Sequence, residues 1–209
     1  EEGRQRILKY CSKTKCNLRI LPDLRQIMSD GGDLTSRIRD VRVEDLLGRE
    51  TVKLSDQSSA LLADRVVMVT GGGGSIGSEL CRQIAECHPR HLIIVDIYEN
   101  STYNVQQELM RQYGDKLLLN VEIASVRDSK KVDALFAQYR PQVVFHAAAH
   151  KHVPLMEDCP EEAVKNNVCG TYNMAVCADK YGAQRFVQIS TDKAVNPTSV
   201  MGAPNACAK

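Results

Sequence analysis

From Val66 onward the chain alternates between short apolar runs and longer segments whose apolar side chains recur every three to four positions. The runs VVMVT (66–70), HLIIVD (91–96), LLLNVEI (117–123), VVFHAAA (143–149) and RFVQIST (185–191) are rich in β-branched residues and predict strands. The intervening SIGSELCRQIAEC, NVQQELMRQY, SKKVDALFAQY and AVKNNVCGTYNMAVCADKYG predict helices. Apolar strands joined by helices belong to a parallel sheet covered on both faces, so we expect a doubly wound α/β domain over 61–209. Residues 1–60 break the pattern. RILKYCSKTKCNLRILPDL predicts an amphipathic helix and a short strand ending at Pro22, and a polar, glycine-bearing stretch follows. We expect the tail of a preceding domain plus a linker there.

The first strand runs directly into four glycines. Thr70, Gly71, Gly74 and Gly77 fit TGxxGxxG at the exit of a strand, where the chain must turn sharply, let a ligand approach the backbone and pack the next helix on the sheet. A helix starting near Ser75 and Ile76 would aim its free N–H groups at that gap, which suits a pyrophosphate. Glycine-rich turns also occur in plain loops, so the companion residue matters. Asp96 closes the second strand at about the 20-residue offset from which an acid reaches a ribose 2′-hydroxyl. A carboxylate there repels a 2′-phosphate and favours NAD over NADP. Ser125 and Val126, after the third strand, are expected to line the adenine pocket of this Rossmann-type site.

Composition narrows the setting. With 27 basic and 26 acidic side chains interspersed, no single-signed field argues for nucleic acid or an anionic surface. No stretch reaches the roughly 18 apolar residues that a membrane-crossing helix needs, and EEGRQRILKY is not a leader, so the chain reads as cytoplasmic in type. The eight cysteines include no CxxC pair and read as reduced structural residues, with no metal site expected.

Chemistry must come from the ends of the fourth and fifth strands. HAAAHKHVPLMED brings small alanines, Ala147 and Ala148 among them, to where a cofactor would pass, followed by His150, Lys151 and His152. Two imidazoles and an ammonium so close together could grip a diphosphate or polarise a sugar oxygen, and the expectation falls first on Lys151 and His152. STDKAVNP sets Thr191, Asp192 and Lys193 at the next strand end, an acid and a base able to hand protons off within one site.

TGGGGSIGSEL, IVDIYEN, HAAAHKHVPLME, NNVCGT and ISTDKAVNPTSVMGA together resemble the polysaccharide-biosynthesis branch of the extended short-chain dehydrogenase/reductase superfamily, nucleotide-sugar 4,6-dehydratases acting on UDP-N-acetylglucosamine. The resemblance implies a lyase in which a hydride leaves sugar C4 for NAD, water is lost across C5 and C6, and the hydride returns to C6. It implies Lys193 as the base at C5, Asp192 as the acid at the departing 6-hydroxyl and Thr191 as the group orienting the C4 hydroxyl. It places Asn167 at the cofactor and Met201 at the substrate, in the position that a tyrosine takes in most of the superfamily. Asn205 stands where the branch has lysine, with Pro204 beside it. Larger members carry transmembrane helices at the cytoplasmic face of the inner membrane and a preceding domain, and members commonly pair as homo-oligomers. They also continue well beyond the position of Lys209, so most of the substrate-binding part is expected to be missing here. An epimerase of the same superfamily and a catalytically silent NAD-binding module are the alternative readings.

Overall fold

The computed structural model describes residues 56–207, together with Tyr10 and the segments 19–20 and 39–40. Two compact units result, Glu1–Leu54 and Ser55–Lys209. In the first, Arg19–Ile20 pairs antiparallel with Arg39–Asp40. The N-terminal helix expected from the sequence, Cys11, Cys16 and Lys209 lie outside the described residues.

The second unit holds five parallel strands: β1 (Val66–Thr70), β2 (His91–Asp96), β3 (Leu119–Ile123), β4 (Val143–His146) and β5 (Arg185–Gln188). They lie in the order β3-β2-β1-β4-β5, so the chain reverses direction across the sheet between β1 and β4. β1 and β2 follow the apolar runs to the residue. β4 and β5 are shorter than expected, because Ala147–Ala149 and the residues after Gln188 leave the ladder at the carboxyl edge. The edge strands are also less apolar than the centre: β3 is only half-buried, and β5 alternates exposed with half-buried positions.

Helices cover both faces. α1 (Asp56–Leu62), α2 (Ser75–Glu86) and α3 (Glu99–Tyr113) belong to one side, where Val67, Val69, Leu92 and Ile94 meet Leu62, Ile84, Val105 and Leu109. α1 straddles residue 60, where the linker was expected to end, and Leu62 joins this core. α4 (Ser129–Tyr139) and α7 (Thr171–Lys180) belong to the other side, where Val66, Met68, Ile93 and Val95 meet Val132, Phe136 and Met174. Period-2 alternation along β1 and β2 therefore feeds two cores at once, which is why both strands read as continuously apolar. Between β4 and α7 run α5 (Val153–Asp158), α6 (Pro160–Ala163) and a π-helical stretch, Val164–Gly170. The predicted single helix from Ala163 to Gly182 is thus a π stretch followed by α7. Asp128 caps α4 by accepting from the amides of Lys130 and Lys131.

Phe136 is fully buried and stacks at 6.2 Å on Tyr181. Phe136→Ala should cost about 3–5 kcal/mol through the cavity it leaves, read as a fall in the urea midpoint at constant slope.

Cys81, Cys87 and Cys177 are buried, whereas Cys159, Cys169 and Cys207 are exposed; all six are free thiols. Burial pushes the Cys81 thiol up to about 12, so it behaves as a small hydrophobe.

Candidate active site

Every strand of the second unit delivers its carboxyl end to one edge of the sheet, and a cleft of about 310 Å3 opens there beside β1 and β2. Gly71 forms its first corner. Its φ of +70° belongs to the left-handed region, and a Cβ on it would stand 2.6 Å from the carbonyl carbon of Ala147. Only glycine lets β1 turn while the backbone leaving β4 passes this close. Gly77, inside α2, packs its Cα face on the Gly71 carbonyl, which brings the helix down on the turn.

The turn is pinned from β2. Asp96 Oδ2 accepts from the Gly73 amide at 2.8 Å and Oδ1 accepts from the Tyr98 amide at 2.9 Å, while Gly71 N–H donates to the Val95 carbonyl. One carboxylate thus fixes the glycine loop and the start of α3. Each oxygen keeps a further lone pair for a ligand. Gly74 is the N-cap of α2, and no side chain caps the first amides and no acid lies in the first turn, so those N–H groups remain available at the loop.

Of the residues expected at a cofactor, Gly71, Gly74, Asp96, Ser125, Val126, Ala147 and Ala148 line the cleft. Thr70, Gly77 and Asn167 are buried and lie outside its lining. Ile76 turns its side chain outward, leaving its amide as the group that could serve. Lys151 is exposed and donates from Nζ to Ser75 Oγ at 3.3 Å, a bridge from the β4 loop to the first turn of α2. Ser125 Oγ accepts from the Arg127 amide, and Gly170 lies against Val126, where a Cβ would meet Cγ2 at 2.7 Å.

The cleft also takes in Ile97, Tyr98, Ser101, His150 and Asn166, which sequence reasoning did not assign to a cofactor. Asn166 had a visible signal in its neighbour Asn167, and His150 in the HAAAHKH run. Tyr98 had none beyond following Asp96.

Thr191, Asp192 and Lys193 leave the end of β5 in a 3₁₀ turn, outside the cleft lining. Thr191 Oγ1 donates to Asp192 Oδ1 at 2.9 Å and accepts from the Lys193 amide, and Lys193 Nζ donates to Asp192 Oδ1 at 3.3 Å. The Thr191 hydroxyl, then the Lys193 ammonium, hold the Asp192 carboxyl below the usual carboxylate range. His152 is exposed at the N-cap of α5. Met201 is 2% exposed and packs with Met156 and Ala163, in a small core apart from the cleft. It directly precedes α8 (Gly202–Cys207), with Pro204 in the first turn, where a missing N–H is harmless. Among the described residues no cluster of three metal-ligating side chains occurs, and no helix is long and apolar enough to cross a membrane.

An open parallel sheet in this strand order, with a glycine turn at the exit of its first strand, is a Rossmann-type nucleotide-binding fold. Residues 67–209 match the family model described as polysaccharide biosynthesis protein. The chain belongs to that family, within the extended short-chain dehydrogenase/reductase superfamily. Over 200 residues it is 48% identical to the probable polysaccharide biosynthesis protein EpsC of Bacillus subtilis (strain 168), covering 95% of this chain and 33% of that protein. Over 205 residues it is 42% identical to the capsular polysaccharide biosynthesis protein CapD of Staphylococcus aureus, covering 97% and 34%. The chain therefore spans about a third of the length of these curated relatives. The UDP-glucose-4-epimerase of Stenotrophomonas maltophila, solved with bound NAD and formylated UDP-arabinopyranose, aligns with a TM-score of 0.60 at 24% identity, covering 68% of this chain and 46% of that one. At that identity the likeness concerns the fold.

Proposed function

We propose that the chain forms the NAD-binding half of a nucleotide-sugar 4,6-dehydratase acting on UDP-N-acetylglucosamine in surface-polysaccharide synthesis. The observation that carries the reading is the Gly71 corner. It lets β1 turn while the Ala147 backbone passes 2.6 Å from where a Cβ would stand, and so sets the cleft between the uncapped start of α2 and the Asp96 carboxylate.

The residues fit a dinucleotide along the cleft. The amides of Ser75, Ile76 and Gly77 would take the pyrophosphate, with Lys151 already bridged to Ser75 on one side. Asp96 would hold the adenosine ribose hydroxyls, and Ser125 and Val126 would flank the adenine. Thr70 and Asn167 would support that cradle from behind, and Ala147 and Ala148 would let the nicotinamide half pass close to the backbone. His152 and Met201 are proposed on the substrate side. NAD bound there supplies a reversible hydride acceptor for the sugar.

The remaining chemistry falls to Thr191, Asp192 and Lys193. In the resting site Asp192 is ionised, which is the wrong state for an acid. A base at C5 and an acid at the 6-hydroxyl require an amine and a carboxylic acid together. Transfer of one proton from Lys193 Nζ to Asp192 Oδ1, across the hydrogen bond they share, creates both at once. Water exclusion by a bound nucleotide sugar favours this neutral pair, because two separated charges lose more solvation than two neutral groups. Thr191 would orient the C4 hydroxyl. Self-association and a place at the cytoplasmic face of a membrane belong to the same proposal.

An epimerase of the same superfamily is the second reading: it would form a C4 ketone and reduce it again without losing water. Incubating the polypeptide with NAD+ and UDP-N-acetylglucosamine separates the two by mass. A dehydratase gives a product lighter by one water, and an epimerase gives an isomer of unchanged mass. Retained NAD with unaltered sugar would support the silent module instead.

Cofactor choice is tested at Asp96. Asp96→Asn removes the charge that opposes a 2′-phosphate, so the preference for NAD+ over NADP+, measured as a ratio of dissociation constants by calorimetry, should fall roughly tenfold or more.

A further inference from the structure

Four of the buried polar residues, Thr70, His146, Asn167 and Thr171, form one hydrogen-bonded chain through the interior. Thr171 Oγ1 donates its single proton to the Asn167 carbonyl at 2.7 Å. Its oxygen can then only accept from the ring, so His146 Nε2, at 3.0 Å, carries the ring hydrogen. Nδ1 is left as an acceptor, and Thr70 Oγ1 donates to it at 2.6 Å. Every proton in the chain is thereby placed. Burial, which pulls the imidazole down to about 4, keeps the ring neutral, and the two threonine hydrogen bonds select this tautomer.

Each end of the chain adjoins a residue of the cleft lining, Gly71 next to Thr70 and Asn166 next to Asn167. Thr70 is the last residue of β1 and leads into Gly71. Asn167, in the middle of the π-helical stretch, uses its carboxamide to accept from the His150 amide at 2.8 Å and donate to the His150 carbonyl at 2.9 Å. This fixes the loop that carries Ala147 to His150 along the cleft wall. Resting on the NAD-binding reading above, we propose that His146 is a positioning residue: its neutral ring keys the π-helical stretch to the end of β1, and so sets the spacing of the two cleft walls that receive the dinucleotide.

A π stretch accommodates an extra residue per turn at an energetic cost and persists where side chains hold it. Thr171 and Asn167 supply that hold here. Removing the ring's two polar contacts would let the stretch relax and withdraw the carboxamide from His150. Packing alone gives a different expectation, since an apolar residue of similar volume at 146 could fill the same space.

The test uses the whole chain and three variants: Thr171→Val, which keeps shape but deletes the hydroxyl, Thr171→Ser, which keeps the hydroxyl, and His146→Leu. NAD+ affinity is read by calorimetry, the urea midpoint by circular dichroism, and His150 amide protection by hydrogen exchange. We expect Thr171→Val and His146→Leu each to weaken NAD+ binding about tenfold. Combined, they should cost little more than either alone, because they interrupt one chain. Protection of the His150 amide should fall in both, and Thr171→Ser should behave as the parent. If His146→Leu fails to fold, Thr171→Val against Thr171→Ser decides. Unchanged NAD+ affinity and unchanged His150 protection in Thr171→Val overturn the proposal while leaving the NAD reading intact. A parent chain that binds no NAD+ overturns the NAD reading, and the proposal with it.

Discussion

Gly71→Ala should weaken NAD+ binding at least ~100-fold, the scale on which an ångström of misplacement acts at such sites. Two costs coincide at this residue. Holding an alanine at φ +70° costs about 1–2 kcal/mol from backbone sterics alone. The added Cβ would also stand 2.6 Å from both the carbonyl carbon and oxygen of Ala147 and 2.7 Å from the Ala148 amide nitrogen. Backbone cannot step aside as a flexible side chain can, so the ends of β1 and β4 must part or the turn must unwind. Either change moves the start of α2 away from the Asp96 carboxylate. Gly182→Ala is the control that isolates the second cost. Gly182 has nearly the same φ, +71°, and nothing within 4 Å of an added Cβ. Its variant should lose stability by a similar strain and bind NAD+ as the parent does. Equal NAD+ affinity in the two alanine variants would remove the close approach at Gly71 as the basis of the site.

That contrast also shows what the sequence could and could not disclose. Gly71 and Gly182 are the same residue in similar backbone conformations, and only the motif around Gly71 marked it for a ligand. The strand at 66–70 was legible to the residue because its apolar run serves cores on both faces. β3 and β5 were less so, since neither edge strand has a fully buried position and their apolar runs continue into the flanking loops. Asp96 was visible by its offset, but not the double duty of its carboxylate toward Gly73 and Tyr98, which depends on how the loop folds back on β2. The π stretch was hidden within an ordinary helical periodicity. A shift from four to five residues in the backbone ladder leaves no mark on which positions are apolar. His146 had a faint signal as a polar residue ending an apolar strand. Its partners, 25 and 76 positions away in the chain, did not.

Lys193→Met should abolish conversion of UDP-N-acetylglucosamine, lowering turnover by at least ~10^3-fold, within the range supplied by a positioned proton-transfer group. NAD+ binding should be unchanged, because Lys193 does not line the cleft that the Gly71 turn builds. Asp192→Asn should fail differently. Its carboxamide still accepts from the Thr191 hydroxyl and the Lys193 ammonium, but it has no proton to give to a departing hydroxyl and cannot take one from Lys193. Turnover in deuterium oxide separates the two. If Lys193 exchanges the C5 proton of a transient 4-ketone and Asp192 assists only the loss of water, Asp192→Asn places deuterium in the recovered sugar without loss of water, and Lys193→Met places none. If instead the amine is created only by proton transfer to Asp192, both variants leave the sugar free of deuterium. The linkage has a second sign to check. Lys193→Met removes one of the two partners that hold the Asp192 carboxyl low, so that carboxyl should titrate at higher pH in the variant, visible in carbon-detected NMR of Asp192. A titration unmoved by the substitution would mean that the ammonium and the carboxylate do not share the contact on which the proton transfer depends.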